Sequence, residues 1–189
     1  SVAGSFVIPT FAVPAGDDPS GLYLSSLTFD FGSEFCENGI IVGIDMEIDN
    51  GSQSIDASWT SFPDGNNQLF PNVSFAQGDN VTVSITMTNA TSSTAVVTNE
   101  STGETSTVAI EIGPICSQAE VAWSLSPEFD DSNNIIPYAD FGTVSITASA
   151  GTSSGPVDMS NAIIEIAVQN GTTIASASVE GDIVTIAFV

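Results

Sequence analysis

Residues 116–148 read CSQAEVAWSLSPEFDDSNNIIPYADFGTVSITA, and they hold one of the two cysteines and one of the two tryptophans of the chain. Val144 and Ile146 alternate with Thr143, Ser145 and Thr147, the period-two pattern of a strand with one face buried and one face wet. Upstream, Trp123 and Leu125 alternate with Ala122, Ser124 and Ser126 on what reads as its partner strand. Between them, Asp130-Asp131-Ser132-Asn133-Asn134 is turn chemistry, because Asp and Asn side chains bond their own backbone and tolerate left-handed geometry. The stretch is strand, acidic loop, strand.

Working outward, the same period recurs. Val81, Val83, Ile85 and Met87 alternate with Thr82, Ser84, Thr86 and Thr88. Further strands are expected at 3–8, 22–31, 39–49, 55–62, 69–75, 94–99, 105–112, 163–168, 173–179 and 183–189. Turn pairs such as Asn50-Gly51, Asp64-Gly65, Gly78-Asp79 and Gly181-Asp182 punctuate them. About thirteen short strands without a convincing helix predict an all-β sandwich of two packed, curved antiparallel sheets. No linker, composition shift or fixed repeat divides the chain, so residues 1–189 are expected to form one domain.

The chain carries 23 Asp and Glu but no Lys, Arg or His. No side chain can therefore form a salt bridge, and at neutral pH every carboxylate repels the others. Neutrality requires almost all carboxylates to be protonated, which puts the isoelectric point near ~3. Acid is the expected habitat. A nucleic-acid or anionic-membrane partner is close to excluded, because no side chain can neutralise a phosphate. No run approaches the roughly 18 apolar residues of a membrane-spanning helix. No cofactor is expected. In 39–49, Asp45, Glu47 and Asp49 alternate with Ile44, Met46 and Ile48; this row reads as a solvated outer face, with weak Ca²⁺ binding as its alternative.

The segments VAGSFVIPT (2–10), SIDASWTSFPD (54–64), FAQGDNVTVSITMT (75–88), NESTGETSTVAIEI (99–112), YADFGTVSITA (138–148) and GTTIASASVEGDIVTIAFV (171–189) resemble, in order and spacing, the eqolisins, the glutamic peptidases of filamentous fungi. The resemblance implies the eqolisin fold, which is concanavalin-like, and a peptidase site of one Gln and one Glu on neighbouring strands of the concave sheet. There the carboxylate activates water and the amide holds the oxyanion.

Transferred residue by residue, that site is altered. The family's Gln lies six residues after the cysteine matching Cys36, which gives Val42. Its Glu lies three residues after a tryptophan matching Trp123, which gives Ser126. Glu128 is the substitute carboxylate nearest to hand. Ser58 and Thr60 stand where the family has Trp and Glu. Ser58, Thr60, Trp59 and Trp123 are the candidates for lining the substrate groove, with the core as the alternative for Trp59, whose parity is opposite to that of Ser58. The expectation is an eqolisin-fold protein without peptidase activity, serving a binding, surface or structural role. An acid endopeptidase with a rearranged site and a carbohydrate-binding sandwich are the alternatives. A peptide, a glycan, or a second copy joined through a sheet edge is the expected partner.

Cys36 and Cys116 suit one disulfide of a secreted protein better than a metal site, with two buried thiols as the alternative; the resemblance places a disulfide at matching positions. A loop of this length contributes up to about 4–5 kcal/mol in the chain-entropy model. Sequons at Asn50, Asn72, Asn80, Asn89, Asn99 and Asn170 agree with secretion. Ser1 opens directly on a strand, so the numbering is expected to begin at a mature end. The eqolisins carry one further tryptophan-containing strand before this point.

Overall fold

The computed structural model describes residues 1–32, 37–63, 65–116, 120–130, 132–164, 167–169 and 171–189. In chain order its strands are β1 (Val2–Val7), β2 (Leu22–Phe31), β3 (Gly39–Asp49), β4 (Ser52–Phe62), β5 (Gln68–Leu69), β6 (Asn80–Asn89) and β7 (Ser92–Asn99). There follow β8 (Glu104–Glu111), β9 (Val121–Ser126), β10 (Thr143–Thr152), β11 (Gly155–Pro156), β12 (Ala167–Gln169), β13 (Thr172–Glu180) and β14 (Ile183–Phe188). One 3-10 turn, Met159–Asn161, is the only helical element among the described residues. No described helix is long and apolar enough to cross a membrane.

Two antiparallel sheets result. The larger has the order β12-β13-β14-β10-β1-β6-β7-β8, with β11 on β10, and the smaller has the order β5-β4-β3-β2-β9. Alternation supplies the core between them: Val2 and Phe6 from β1, Leu27 and Phe29 from β2, Val42 and Ile44 from β3, and Val83 and Ile85 from β6 are all 5% exposed or less. The β3–β4 hairpin pairs Asp49 with Ser52 across Asn50 and Gly51. Those two residues have φ of 49° and 77°, the double left-handed turn that Asn-Gly favours.

Three expectations are corrected. The partner of β10 is not β9. β9 pairs with β2 in the smaller sheet, whereas β10 pairs with β1 and β14 in the larger. The acidic loop between them is thus a crossover between sheets, with its own small hairpin closed by a Phe129–Ile135 bridge. Its turn chemistry is as read: Asp130 accepts from the amides of Ser132 and Asn134, and Asn133 has φ 62°. Asp131 lies outside the described residues.

The strand expected at 69–75 shrinks to Gln68–Leu69. Pro71 has no N–H to donate and Asn72 sits at φ 59°, so the ladder cannot continue. The strand expected at 163–168 shrinks likewise to Ala167–Gln169. Ile163 and Ile164 are 85% and 49% exposed, so these two side chains have no sheet face beneath them; residues 165 and 166 lie outside the described residues.

Candidate functional site

The face of the smaller sheet turned away from the core carries three cross-strand rows, fixed by register. Thr60, Ile41, Asp30 and Ala122 form one; Ser58, Gly43, Thr28 and Ser124 the next; Asp56, Asp45, Ser26 and Ser126 the third. The rows between them face inward, including Trp59, Val42, Phe29 and Trp123.

This register corrects the transferred site. Val42 is fully buried in the intersheet core, so a Gln there would never meet a ligand on the outer face. Its outward neighbours, Ile41 and Gly43, carry no amide either. Ser126 does face outward, and the residue of β3 in its row is Asp45. Trp59 and Trp123 pack against the core, and the Trp123 indole donates to the Ala3 carbonyl at 3.1 Å, so neither lines the outer face. Ser58 and Thr60 do lie on it.

The floor of this face is a hydroxyl–carboxylate network. Ser26 Oγ donates to Asp45 Oδ1 at 2.5 Å and Ser58 Oγ to Asp45 Oδ2 at 2.6 Å. Gly43 makes this possible, because a Cβ there would stand 2.7 Å from Ser26 Oγ and 2.9 Å from Asp45 Oδ1. Thr28 Oγ1 shares hydrogen bonds with Ser124 Oγ at 2.7 Å and Ser126 Oγ at 2.8 Å. Ser124 Oγ in turn donates to Asp30 Oδ2 at 3.3 Å. Asp30 is 8% exposed, and its Oδ1 has no hydrogen-bond partner.

Without a single basic side chain, burial controls the titration. It pushes the Asp30 carboxyl up to about 6, against the downward pull of the Thr28 and Ser124 hydroxyls. Asp45 is also raised by burial, against its two serine bonds and with the help of Asp56 across the strand pair. Glu128 follows the end of β9, is half-buried, and is pushed up to about 7 by burial and then by the charge of Asp45. Glu128 in turn adds to the burial that raises the Tyr138 phenol. Two carboxylates thus stand close enough to disfavour simultaneous ionisation. Acids whose ionisation burial disfavours, gathered near one face, mark it as a candidate functional site.

The Asp45-Glu47-Asp49 row shares a face as the alternation requires, but it is not a fully solvated edge. Asp45 is occupied by the two serines, and the described residues form no cluster of three metal-ligating side chains. Of the sequons, Asn50, Asn72, Asn80 and Asn89 are exposed. Asn99 is fully buried; its amide donates to the Ser74 carbonyl and to Asp79, so it is not a glycosylation candidate. Asn170 and Cys36 lie outside the described residues, and no described cysteine is free. A hollow lined by Asp158, Met159, Ile164 and Val179 lies elsewhere and pairs no acids; Asp158 caps the amide of Ser160.

Asp30, Thr28 and Ser124 are the site residues that motif reading misses. The signal was present: an Asp between Phe29 and Phe31 shares parity with Ser26 and Thr28.

A family model described as the Peptidase A4 family matches residues 1–188. Aspergillopepsin-2 of Aspergillus niger is 29% identical over 172 residues, 88% of this chain; the chain spans 60% of that relative's length. The crystal structure of aspergilloglutamic peptidase from Aspergillus niger superposes with a TM-score of 0.79 at 27% identity, covering 88% of this chain and 99% of that one. Scytalido-glutamic peptidase with a peptide-based transition-state analogue superposes with a TM-score of 0.80 at 20% identity, covering 100% and 91%. The chain belongs to the Peptidase A4 family, the eqolisins, and has their β-sandwich fold.

Proposed function

We propose that this chain is a secreted, acid-tolerant eqolisin that holds extended peptides on the outer face of its smaller sheet without cutting them by the Gln and Glu chemistry of its family. The observation that carries the reading is the composition of the three outward rows. On β3 they present Ile41, Gly43 and Asp45, and on β9 they present Ala122, Ser124 and Ser126. Among these β3 and β9 positions no side-chain amide is present to hold an oxyanion, and loss of one such donor typically costs about 100-fold to 1,000-fold in rate. Secretion is supported by the exposed sequons, the absence of basic residues and the paired-cysteine count.

Purified protein is expected to leave casein and quenched fluorogenic peptides uncut between pH 2 and pH 5. A second reading, an acid endopeptidase with a rearranged site, is favoured by the proximity of Glu128 to Asp45. One carboxyl would deliver a proton while the other takes one from water. A Glu128→Gln variant separates the two readings, since turnover that disappears with it would establish the second.

A further inference from the structure

We propose that the Asp18–Pro19 bond is a site of self-cleavage in acid: the Asp18 carboxylate attacks its own carbonyl carbon, and the Gly21 amide and the Tyr23 hydroxyl hold the oxyanion that forms. The site lies in the connection between β1 and β2 and is independent of peptide binding on the smaller sheet.

Of the nine prolines in the chain, Pro19 alone follows an aspartate. Its nitrogen belongs to a tertiary amide without an N–H, which takes up a proton and leaves more readily than an ordinary peptide nitrogen. The groups around the bond are already placed. The Asp18 carbonyl oxygen accepts from the Gly21 amide at 3.0 Å and from the Tyr23 hydroxyl at 2.9 Å, and oxyanion donors work at about 2.7–3.1 Å. Tyr23 is buried in β2, so packing fixes its phenol. On the carboxylate, Oδ1 accepts from the Ser20 amide at 2.9 Å and the Ser20 hydroxyl at 2.8 Å. Those two bonds hold the Asp18 carboxyl below the usual carboxylate range, so it stays a nucleophile in acid, and they leave Oδ2 free to attack. Asp18 and Pro19 are both exposed, so acidic solvent reaches them. The other acids of this corner are Asp17 and, opposite Leu22 on β3, Asp49.

The step balances without a partner. Oδ2 bonds to the Asp18 carbonyl carbon, and the charge that develops on the carbonyl oxygen falls between the two donors. The bond to Pro19 then breaks as its nitrogen takes a proton from solvent, leaving a cyclic anhydride of Asp18. One water opens the anhydride to two carboxyl groups. The fragment 1–18 carries β1, which pairs with both β10 and β6, so the two pieces part only on denaturation.

The test holds purified protein at pH 3 and follows its mass under denaturing conditions, beside an acetylated, amidated peptide of residues 14–24 that has the same bond but not the fold. The folded chain is expected to release fragment 1–18 at least about tenfold faster than the peptide is cut, because placed donors act only in the fold. The rate is expected not to change with protein concentration. Asp18→Asn, which has no carboxylate, is expected to stay intact, and Tyr23→Phe to be cut about tenfold more slowly than the parent. Glu128→Gln is expected to be cut at the parental rate, which separates self-cleavage from the acid-peptidase reading. A folded chain cut no faster than the peptide overturns the proposal, since the bond would then be an ordinary acid-labile link. A Tyr23→Phe variant that keeps the parental melting point and the parental rate overturns the oxyanion pair; if the variant melts lower, the comparison of folded chain with peptide decides alone. A rate that rises with concentration, or one lost in Glu128→Gln, overturns self-cleavage in favour of a peptidase acting between copies.

Discussion

Gly43 is where a single hydrogen atom in place of a side chain lets three strands share one carboxylate. A methyl group there would collide with Ser26 Oγ and Asp45 Oδ1, and would crowd Ser58 Oγ at 3.3 Å. Gly43→Ala is therefore expected to lower stability by about 1–3 kcal/mol, as overpacking does, measured by thermal melting at pH 4. An unchanged melting point would mean that the serine–aspartate network relaxes freely. One and two strand positions away, parity decides what can be rebuilt. Val42→Gln with Ser126→Glu is expected to gain no acid peptidase activity and to melt lower, since an unpaired buried amide costs about 1–3 kcal/mol. Ile41→Gln, half-buried on the outer face, is expected to keep a melting point close to that of the parent. Counting by family spacing selected Val42, yet Val42 shares parity with Ile44, Met46 and Ile48, so its inward direction was already legible in the strand itself. The Asp30-Ser124-Thr28-Ser126 chain was not legible, because it depends on the register of β2 against β9, and one sequence does not state which strands pair.

Among the elements, β1 shows how central strands constrain composition. It lies between β10 and β6 in the middle of the larger sheet, and a Cβ on its Gly4 would meet Ile146 Cγ2 at 2.6 Å and Phe29 Cε1 at 2.8 Å. Gly4 thus lets the larger sheet approach the aromatic side chain of β2. Gly4→Ala is expected to destabilise by about 1–3 kcal/mol, read from urea unfolding, and a loss below about 0.5 kcal/mol would show that the two sheets can part at no cost. Where alternation and turn chemistry agreed, as in β6 and the Asn50-Gly51 hairpin, the elements could be read directly. Where apolar residues ran together without a face to cover, as at Ile163 and Ile164, they could not. Pairing of β9 with β10 also failed, because adjacent strands joined by a loop read alike whether the chain turns back or crosses between sheets. The crossover also bears on the cysteines. The segment between β8 and β9 carries Cys116, and the β2–β3 connection carries Cys36, so a bond between them would tie the larger sheet's last strand in this run to the smaller sheet. Titration of denatured, unreduced protein is expected to find no thiol; two thiols per chain would refute both the bond and the secreted reading.

For the whole molecule, the absence of every basic side chain leaves pH as the main control on stability, and the carboxylates divide by sign. Asp18, Glu104, Asp130 and Asp158 are lowered by hydrogen bonds from neighbouring amides and side chains. Their contribution is present above the unfolded carboxylate pKa of about 4 and is lost as pH falls through their folded values. Asp30, Asp45, Glu47 and Glu128 are raised, each first by burial. Their protonated forms favour the fold, so that contribution is complete below about pH 4 and is lost as pH rises through about 6 for Asp30 and about 7 for Glu128. The two sets together place maximal stability near pH 4–5, well below the usual optimum. Asp30 is buried enough for the rise of its carboxyl to about 6 to be worth about 3 kcal/mol at neutral pH. Calorimetric melting from pH 3 to pH 8 is expected to show a maximum near pH 4–5 and a steady fall above it. Salt should shrink only the part of that fall due to exposed carboxylates, because buried groups are poorly screened. An Asp30→Asn variant, which has no proton to lose, should flatten the fall between pH 4 and pH 7 and leave the remainder to Glu128 and Asp45. A wild-type melting point that climbs from pH 5 to pH 8 would mean that ionised carboxylates are bound favourably in the fold, and the burial argument at Asp30 would be wrong.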